Sequence, residues 1–596
     1  MFKKNELRYQ IKKLINWKIK QRLSNLTPIV YVLLGVGALA LLLGLTKNTG
    51  NNLSAWAASP TPATAVSIVI AASDSSLLSK QRADYVVDGT ADEEQIIAAM
   101  NQLAPVGGGS ISLLEGTYNI DSEIQTAPSV KHWPNGITIR GQGERTILHN
   151  RMNGGTSNDR YVINVWGNTT DPVSYVGVFD LKIIGDEYTT NNMSQHGILL
   201  KYVKDAALNN LYFENLGEEG LVIGDEAERV AAGAIFGKNL GSGLIDIGGS
   251  SKSIDIQNVI GETTNQVEDS AMTGVFEWGG KSPERVNIGF IQAIRPGSKG
   301  LQIVSASNIN VGQLIVECQA DSFSKKSIGA LQVYKNSGVQ PQNVNVKQVI
   351  SRNCGARANN PSISLQGDYL NIDQVTVERP YGHGLSADNL HYSHVGQVTV
   401  RDAADTGTSA YNAITIASTT SDNTFDQILV RGWSYSAANG IGVAISGHRN
   451  IFGKIQIAGD TSVVGADSWD VWVSASASNN IIESAILSGH GTGGLSNSST
   501  STHIGKIIKG TSGTSYKPYQ TSGTSLIPSG VTSTTVTHGL GFTPSAENIF
   551  VTQANNPSND PGNIWVDNIN STSFRVNSKN DPGASGLSFS WQVVTP

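Results

Sequence analysis

Cysteine is nearly absent: Cys318 and Cys354 are the only two in 596 residues. That count excludes a disulfide framework and a Cys-rich metal motif. The pair reads as two small buried hydrophobes, although thiols at this separation meet if one repeat coil lies between them. Charge is also scarce, at 15% of residues against ~25% in an average soluble protein. A helical enzyme rich in Lys and Glu does not have this composition, and a disordered chain would carry more charge and fewer Ile and Val. Glycine is the abundant residue, with 64 copies, but no Gly-x-y period runs through the chain, which excludes collagen. With many Ser, Thr and Asn beside it, this composition favours β structure with frequent tight turns.

The net charge of -6 hides an asymmetry. The first 25 residues hold eight Lys and Arg against Glu6 alone, and the rest carries 34 bases against 47 acids. An acidic body without a basic face disfavours nucleic acid as a partner. Glycans remain open, because sugars are bound through local hydrogen bonds. From Ile29 to Leu45 the chain reads IVYVLLGVGALALLLGL, without a charge. At ~1.5 Å per residue such a helix nearly spans a ~30 Å hydrocarbon core. The expectation is a basic internal segment at 1–25, a transmembrane helix at 26–46 and a stalk and entry segment at 47–80. The basic residues would stay inside and the body face out. A signal cleaved after Ala57 is the rival, with a leader far longer than the usual ~15–30 residues.

A repeated phrase runs through the body: a small residue, then alternating aliphatics. It stands as GLVI at 220, GLIDI at 243, GVFEW at 274, GLQIV at 300, and onward to VWVSA at 471, with a mean step of about 28 residues. Second strands lie between, such as SIDIQNV at 253 and LNIDQVTV at 370, with Asn or Ser often at their start. Steps near 28 argue against propeller blades, which recur every ~40–50 residues. One coil cannot bury its own Ile, Val and Leu, but coils stacked at ~4.8 Å form a continuous core. The predicted fold is all-β: a single-stranded, right-handed parallel β-helix over 81–508. Ile96, Ile97, Met100 and Leu103 give a capping helix at its start, with Asp92 or Thr90 as the N-cap. A linker at 509–527 and a C-terminal antiparallel β-sandwich at 528–596 follow, the latter read from alternating strands between turn residues.

The run DGTADEEQIIAAMNQL with GGGSISLLEGTYNI and ITIRGQGERTIL, over residues 85–148, resembles the opening of pectate-lyase-like right-handed β-helices, including bacteriophage tailspikes. The tail phrases VTHGLGFTPSAENIFVT and NIWVDNINSTSFRV are similar to small C-terminal β-sandwich domains of phage tail and fibre proteins. The resemblance implies a receptor-binding, glycan-directed protein, often a homotrimer, and with the apolar segment a membrane-anchored spike on a virion or cell surface. A capsid or other virion protein would be the partner of its N-terminus. The alternatives are a polysaccharide depolymerase on the same scaffold, a glycoside hydrolase before a lyase, and a purely structural stalk or adhesin.

Glycosidic cleavage uses two carboxyl groups flanking the bond, and stacking on a β-helix supplies such pairs freely. The candidates are Glu214, Glu219, Asp225, Asp246, Asp255, Glu277, Glu317 and Asp321, then Asp368, Asp373, Glu378 and Asp388. One stretch concentrates polar chemistry: Glu378-Arg379-Pro380-Tyr381-Gly382-His383, then Asp388, His391, Tyr392 and His394. Here Glu378, Asp388 and His383 are the expected catalytic groups. Arg379, Tyr381, His391 and Tyr392, with Trp433 and Trp472, are the expected sugar contacts. Tyr161 with Trp166, and Trp278 beside Glu277, form another candidate surface. In VFEW, Phe276 and Trp278 share one face, either inward or outward. The expected cofactor set is none. No metal is assigned, and no phosphate loop is present because no Gly-Lys-Ser/Thr follows the glycines.

Overall fold

The computed structural model describes residues 66–126, 131–152, 159–186, 195–264, 271–318, 329–336, 338–355, 360–402, 411–433, 440–458, 469–487, 493–509, 520–538 and 543–594. Thirty-two parallel strands form one continuous sheet system, in which each strand pairs with its counterparts one coil away. A short strand, such as Leu221–Gly224, alternates along the chain with a long one, such as Glu228–Lys238. Through the central coils short strands stack on short ones and long on long, with one added bridge from Gln342 to Asp368. This is a right-handed parallel β-helix.

The long strands turn a corner. In Lys252–Glu262 the buried positions are Ile254 and Ile256, then Val259 and Gly261. The period of two slips to three in the middle, so both halves point apolar residues inward while the chain bends. Each coil therefore has three walls, one short strand and two half-strands. Inside lies a single aliphatic core running from Ile68 to Ile504.

A second corner falls near the start of each long strand. At this corner, from Tyr175 to Asn479, a non-glycine residue takes left-handed backbone in coil after coil: Asp205, Arg229, Asn308, Asn343, Tyr369, Tyr392, Asp422 and Arg449 are among them. Such residues cost roughly 1–2 kcal/mol each. Stacking offsets part of that cost. Arg229 donates to Asp205 at 2.7 and 2.9 Å and Arg449 to Asp422 at 2.7 and 2.6 Å. Asn343 donates to Asn308 at 3.1 Å, and the Tyr369 and Tyr392 rings stack at 5.5 Å. Just inside this corner Asn423, Asn450 and Asn480 are buried and joined by amide bonds of 2.9 and 3.2 Å.

Helix α1 (Leu77–Arg82) and helix α2 (Glu93–Leu103) lie at the N-terminal end. Helix α2 buries Ile96, Ala99, Met100 and Leu103 in the end of the core, as a cap for open coils. Asp92 is its N-cap residue, but its carboxylate accepts from Gly89 N at 2.8 Å and Asn119 N at 2.7 Å instead of capping the helix. Two three-stranded antiparallel sheets, Gln520–Ile527/Leu587–Val594/Ile549–Gln553 and Ser533–Thr537/Ser573–Ser578/Ile564–Asp567, share a core of Ile527, Phe574, Leu587 and Phe589. Paired strand thus begins at Gln520, inside the stretch read as linker.

Two expectations are corrected. The cysteines are not separate buried hydrophobes: Cys318 and Cys354 form a disulfide, with Cα atoms 5.1 Å apart, just beyond the ends of successive long strands. The transmembrane helix is not part of the architecture found. No helix among the described residues is long and apolar enough to cross a membrane. The longer of α1 and α2 has 11 residues, about 17 Å against a ~30 Å core. Residues 26–46, with the basic segment and the stalk up to residue 65, lie outside the described residues. The expected membrane-anchored spike, lipid partner and single-pass location thus find no support in the described helices.

Candidate functional site

The outward face of the short strands carries an enclosed polar cluster in its N-terminal half. Register builds it. Tyr161 pairs with His196, and Ile198 with Leu221, which puts Glu219 beside His196 on the next coil. Leu221 pairs with Ile245, which puts Gly243 beside Glu219. Asp246 follows three residues later, only 8% exposed. A Cβ at Gly243 would fall 2.9 Å from Asp246 Oδ1, so the Asp246 carboxylate folds back over that glycine. The Glu219 and Asp246 carboxylates thus occupy one patch on adjoining coils.

His196 Nδ1 lies 2.8 Å from Glu219 Oε2, and Ser242 Oγ donates to Glu219 Oε1 at 2.9 Å. Burial favours the neutral acid at Glu219, but the hydrogen bond and charge of His196, with Ser242, outweigh it and hold the carboxyl below its usual range. The Tyr161 ring packs 4.5 Å from His196. Burial, then the charges of Glu219, Asp159, Asp246 and Glu123, push its phenol far above the ordinary value, so it stays a donor.

An aromatic platform adjoins the acids. Gly248 stands two residues after Asp246 and shares its outward face. The Trp278 indole lies over Gly248 and Gly224, where a Cβ would come within 2.2 and 2.7 Å of the ring. A tight turn holds it: Trp278 and Lys281 exchange backbone bonds of 2.9 and 3.0 Å, and Glu277 Oε1 accepts from Gly280 N at 2.7 Å. Val275 fills the core, so Phe276 and Trp278 take the outward alternative. Two coils before Gly224, Trp166 carries Lys201 Nζ at 4.7 Å from its ring.

The residues singled out around 380 are distributed differently from one another. Glu378 ends the strand Asn371–Glu378 between Arg352, at 3.0 Å, and Arg401. Burial raises its carboxyl, and Arg401 and Arg352 outweigh that and lower it. Asp388 lies on the next short strand, Leu385–His391, and accepts from Thr419 Oγ1 and from Asn389 Nδ2 at 3.3 Å. His383 is mostly enclosed, which lowers its pKa, and its Nδ1 accepts from Asn412 N at 3.0 Å. Each of the three is engaged by different neighbours: two arginines, Thr419 with Asn389, and the Asn412 backbone. Arg379 donates to Asn353 at 2.9 Å, and Tyr381 N to the Cys354 carbonyl at 3.0 Å. His391 bonds Ser421 at 3.2 Å, beside the exposed Tyr369–Tyr392 stack. Trp472 is half-buried on an outward short-strand face. Trp433, by contrast, is 2% exposed in the core and presents no face to a sugar. Asp321 lies outside the described residues. Among those described, no group of three His, Cys, Asp or Glu is placed to hold a metal ion.

No family model matches the chain, and no curated protein is similar to it. Solved structures are. A tailspike mutant of E. coli bacteriophage HK620 in complex with pentasaccharide is 10% identical, covering 84% of this chain and 89% of its own, at a TM-score of 0.45. The A-module of the Azotobacter vinelandii mannuronan C-5 epimerase AlgE6 is 12% identical, over 71% of this chain and 97% of its own, at 0.37. The DFA-IIIase of Arthrobacter chlorophenolicus A6 is 12% identical, over 65% and 89%, at 0.39. The β-helix stands on the strand pairings of this chain, and these likenesses add no activity, substrate or partner to it.

Proposed function

We propose that the chain is a polysaccharide depolymerase of the glycoside hydrolase type, acting on the outward short-strand face. The observation that carries this reading is the enclosed Glu219–His196–Tyr161 cluster with Asp246, set beside the Trp278 platform. Two carboxyl groups in different surroundings supply a proton donor and an ionised partner. The indole supplies an apolar plane for a sugar ring. Tyr369, Tyr392 and His391 would contact more distant sugars of a long chain.

The test is incubation of the protein with a panel of neutral and acidic polysaccharides, scoring retention and reducing ends together. New reducing ends without unsaturated product are expected for at least one polymer. Retention without new ends on every polymer that binds would leave a glycan-binding protein and overturn the hydrolase. Unsaturated ends would reassign it to elimination.

A further inference from the structure

Paired carboxylates act only if their protonation states differ, and the structure shows how one of this pair is held. The His196 side chain is 4% exposed. One face packs on Tyr161, and its backbone carbonyl accepts from Asn150 Nδ2 at 3.2 Å. Its Nδ1 meets Glu219 at 2.8 Å, while its Nε2 stands 4.0 Å from Asp159 Oδ1. Ser242 engages the other Glu219 oxygen. Both oxygens of Glu219 are tethered, and the ring that tethers one of them is itself wedged in place.

We infer that His196 is a positioning residue that holds Glu219 as the ionised carboxylate of the pair. This rests on the proposed hydrolysis. Among the described residues, the titratable groups around Tyr161 and the pair include Asp159, Glu123 and Asp246, with Glu218 next in the chain. These are acids, and like charges oppose ionisation of Glu219. Burial opposes ionisation of Glu219, and among the groups that favour it His196 comes first, ahead of Ser242, so loss of His196 is expected to raise the carboxyl pKa.

The sign follows. Activity that needs ionised Glu219 falls as pH drops through the Glu219 pKa. In His196→Ala that pKa is expected to be higher, so the acid limb of kcat/KM moves to higher pH. His196→Asn keeps a donor near the Nδ1 position and is expected to recover part of kcat without restoring the limb. A merely structural histidine would lower activity at all pH values and leave the limb in place. The second readout needs no turnover: carboxyl-carbon NMR titration of Glu219, assigned by its loss in Glu219→Gln, in wild type and His196→Ala. The carboxyl is expected to titrate higher without His196. Identical titration in both proteins would overturn the positioning role, whether or not the protein cleaves. A wild type that cleaves nothing would overturn the hydrolase reading, whatever Glu219 does.

Discussion

Asp246→Asn and Glu219→Gln are each expected to slow the release of reducing ends by about 10²–10⁴-fold, the usual range for a positioned acid or base. Both changes preserve size, so the coils should stay stacked and polymer should still bind through Trp278. Glu378→Gln makes the informative contrast. If Glu378 were the acid of the site, its amide would be as damaging as that of Asp246. Its position between Arg352 and Arg401 predicts instead that cleavage persists and that the change is felt in stability. There the loss is modest, because the group is partly exposed and screened by solvent. Equal loss of activity in all three variants would move the site towards residue 380. Loss in Glu378→Gln alone would remove it from the Glu219 cluster.

The second large effect is expected at the disulfide. Closing the loop between Cys318 and Cys354, 36 residues apart, removes chain entropy worth about 4 kcal/mol in the loop-closure treatment. A rod of stacked coils opens locally before it opens as a whole. Reduction, or Cys318→Ser with Cys354→Ser, should therefore lower the melting temperature and speed hydrogen exchange first in the strands Ser307–Glu317 and Gln342–Arg352, which the bond adjoins. Equal melting and exchange with and without the bond would show that core packing alone holds these coils.

The fold was legible because its signal is repetitive. The phrases GLVI, GLIDI and GLQIV place Leu221, Ile245 and Leu301 inward in one register, Ile245 one coil after Leu221 and Leu301 two coils further on, as found. The capping helix read from Ile96, Ile97, Met100 and Leu103 is equally local, and it is present as Glu93–Leu103. The disulfide was harder to read, since whether the two thiols meet depends on the sizes of the loops between them. The proposed site was legible only in part. Glu219 and Asp246 stood among a dozen acids, and nothing local ranks an acid by burial. His196 was passed over, although aligning HGILL at 196 with EGLVI at 219 places it beside Glu219. That alignment is the signal that could have found it. The stretch around 380 drew attention because its polar residues are consecutive in the chain, whereas a β-helix assembles sites across coils, among residues some 25 positions apart. Trp433 shows the same limit: a tryptophan after a polar strand end looks available, yet here the chain turns it into the core.

The most direct test of the account is a crystal structure of Asp246→Asn soaked with an oligosaccharide of the polymer that the wild type cleaves. The account predicts sugar on the outward short-strand face, with one ring against Trp278 and the scissile linkage between residues 219 and 246. Sugar bound solely at the Tyr369–Tyr392 corner or on the C-terminal sheets, with the Trp278 face empty, would contradict it.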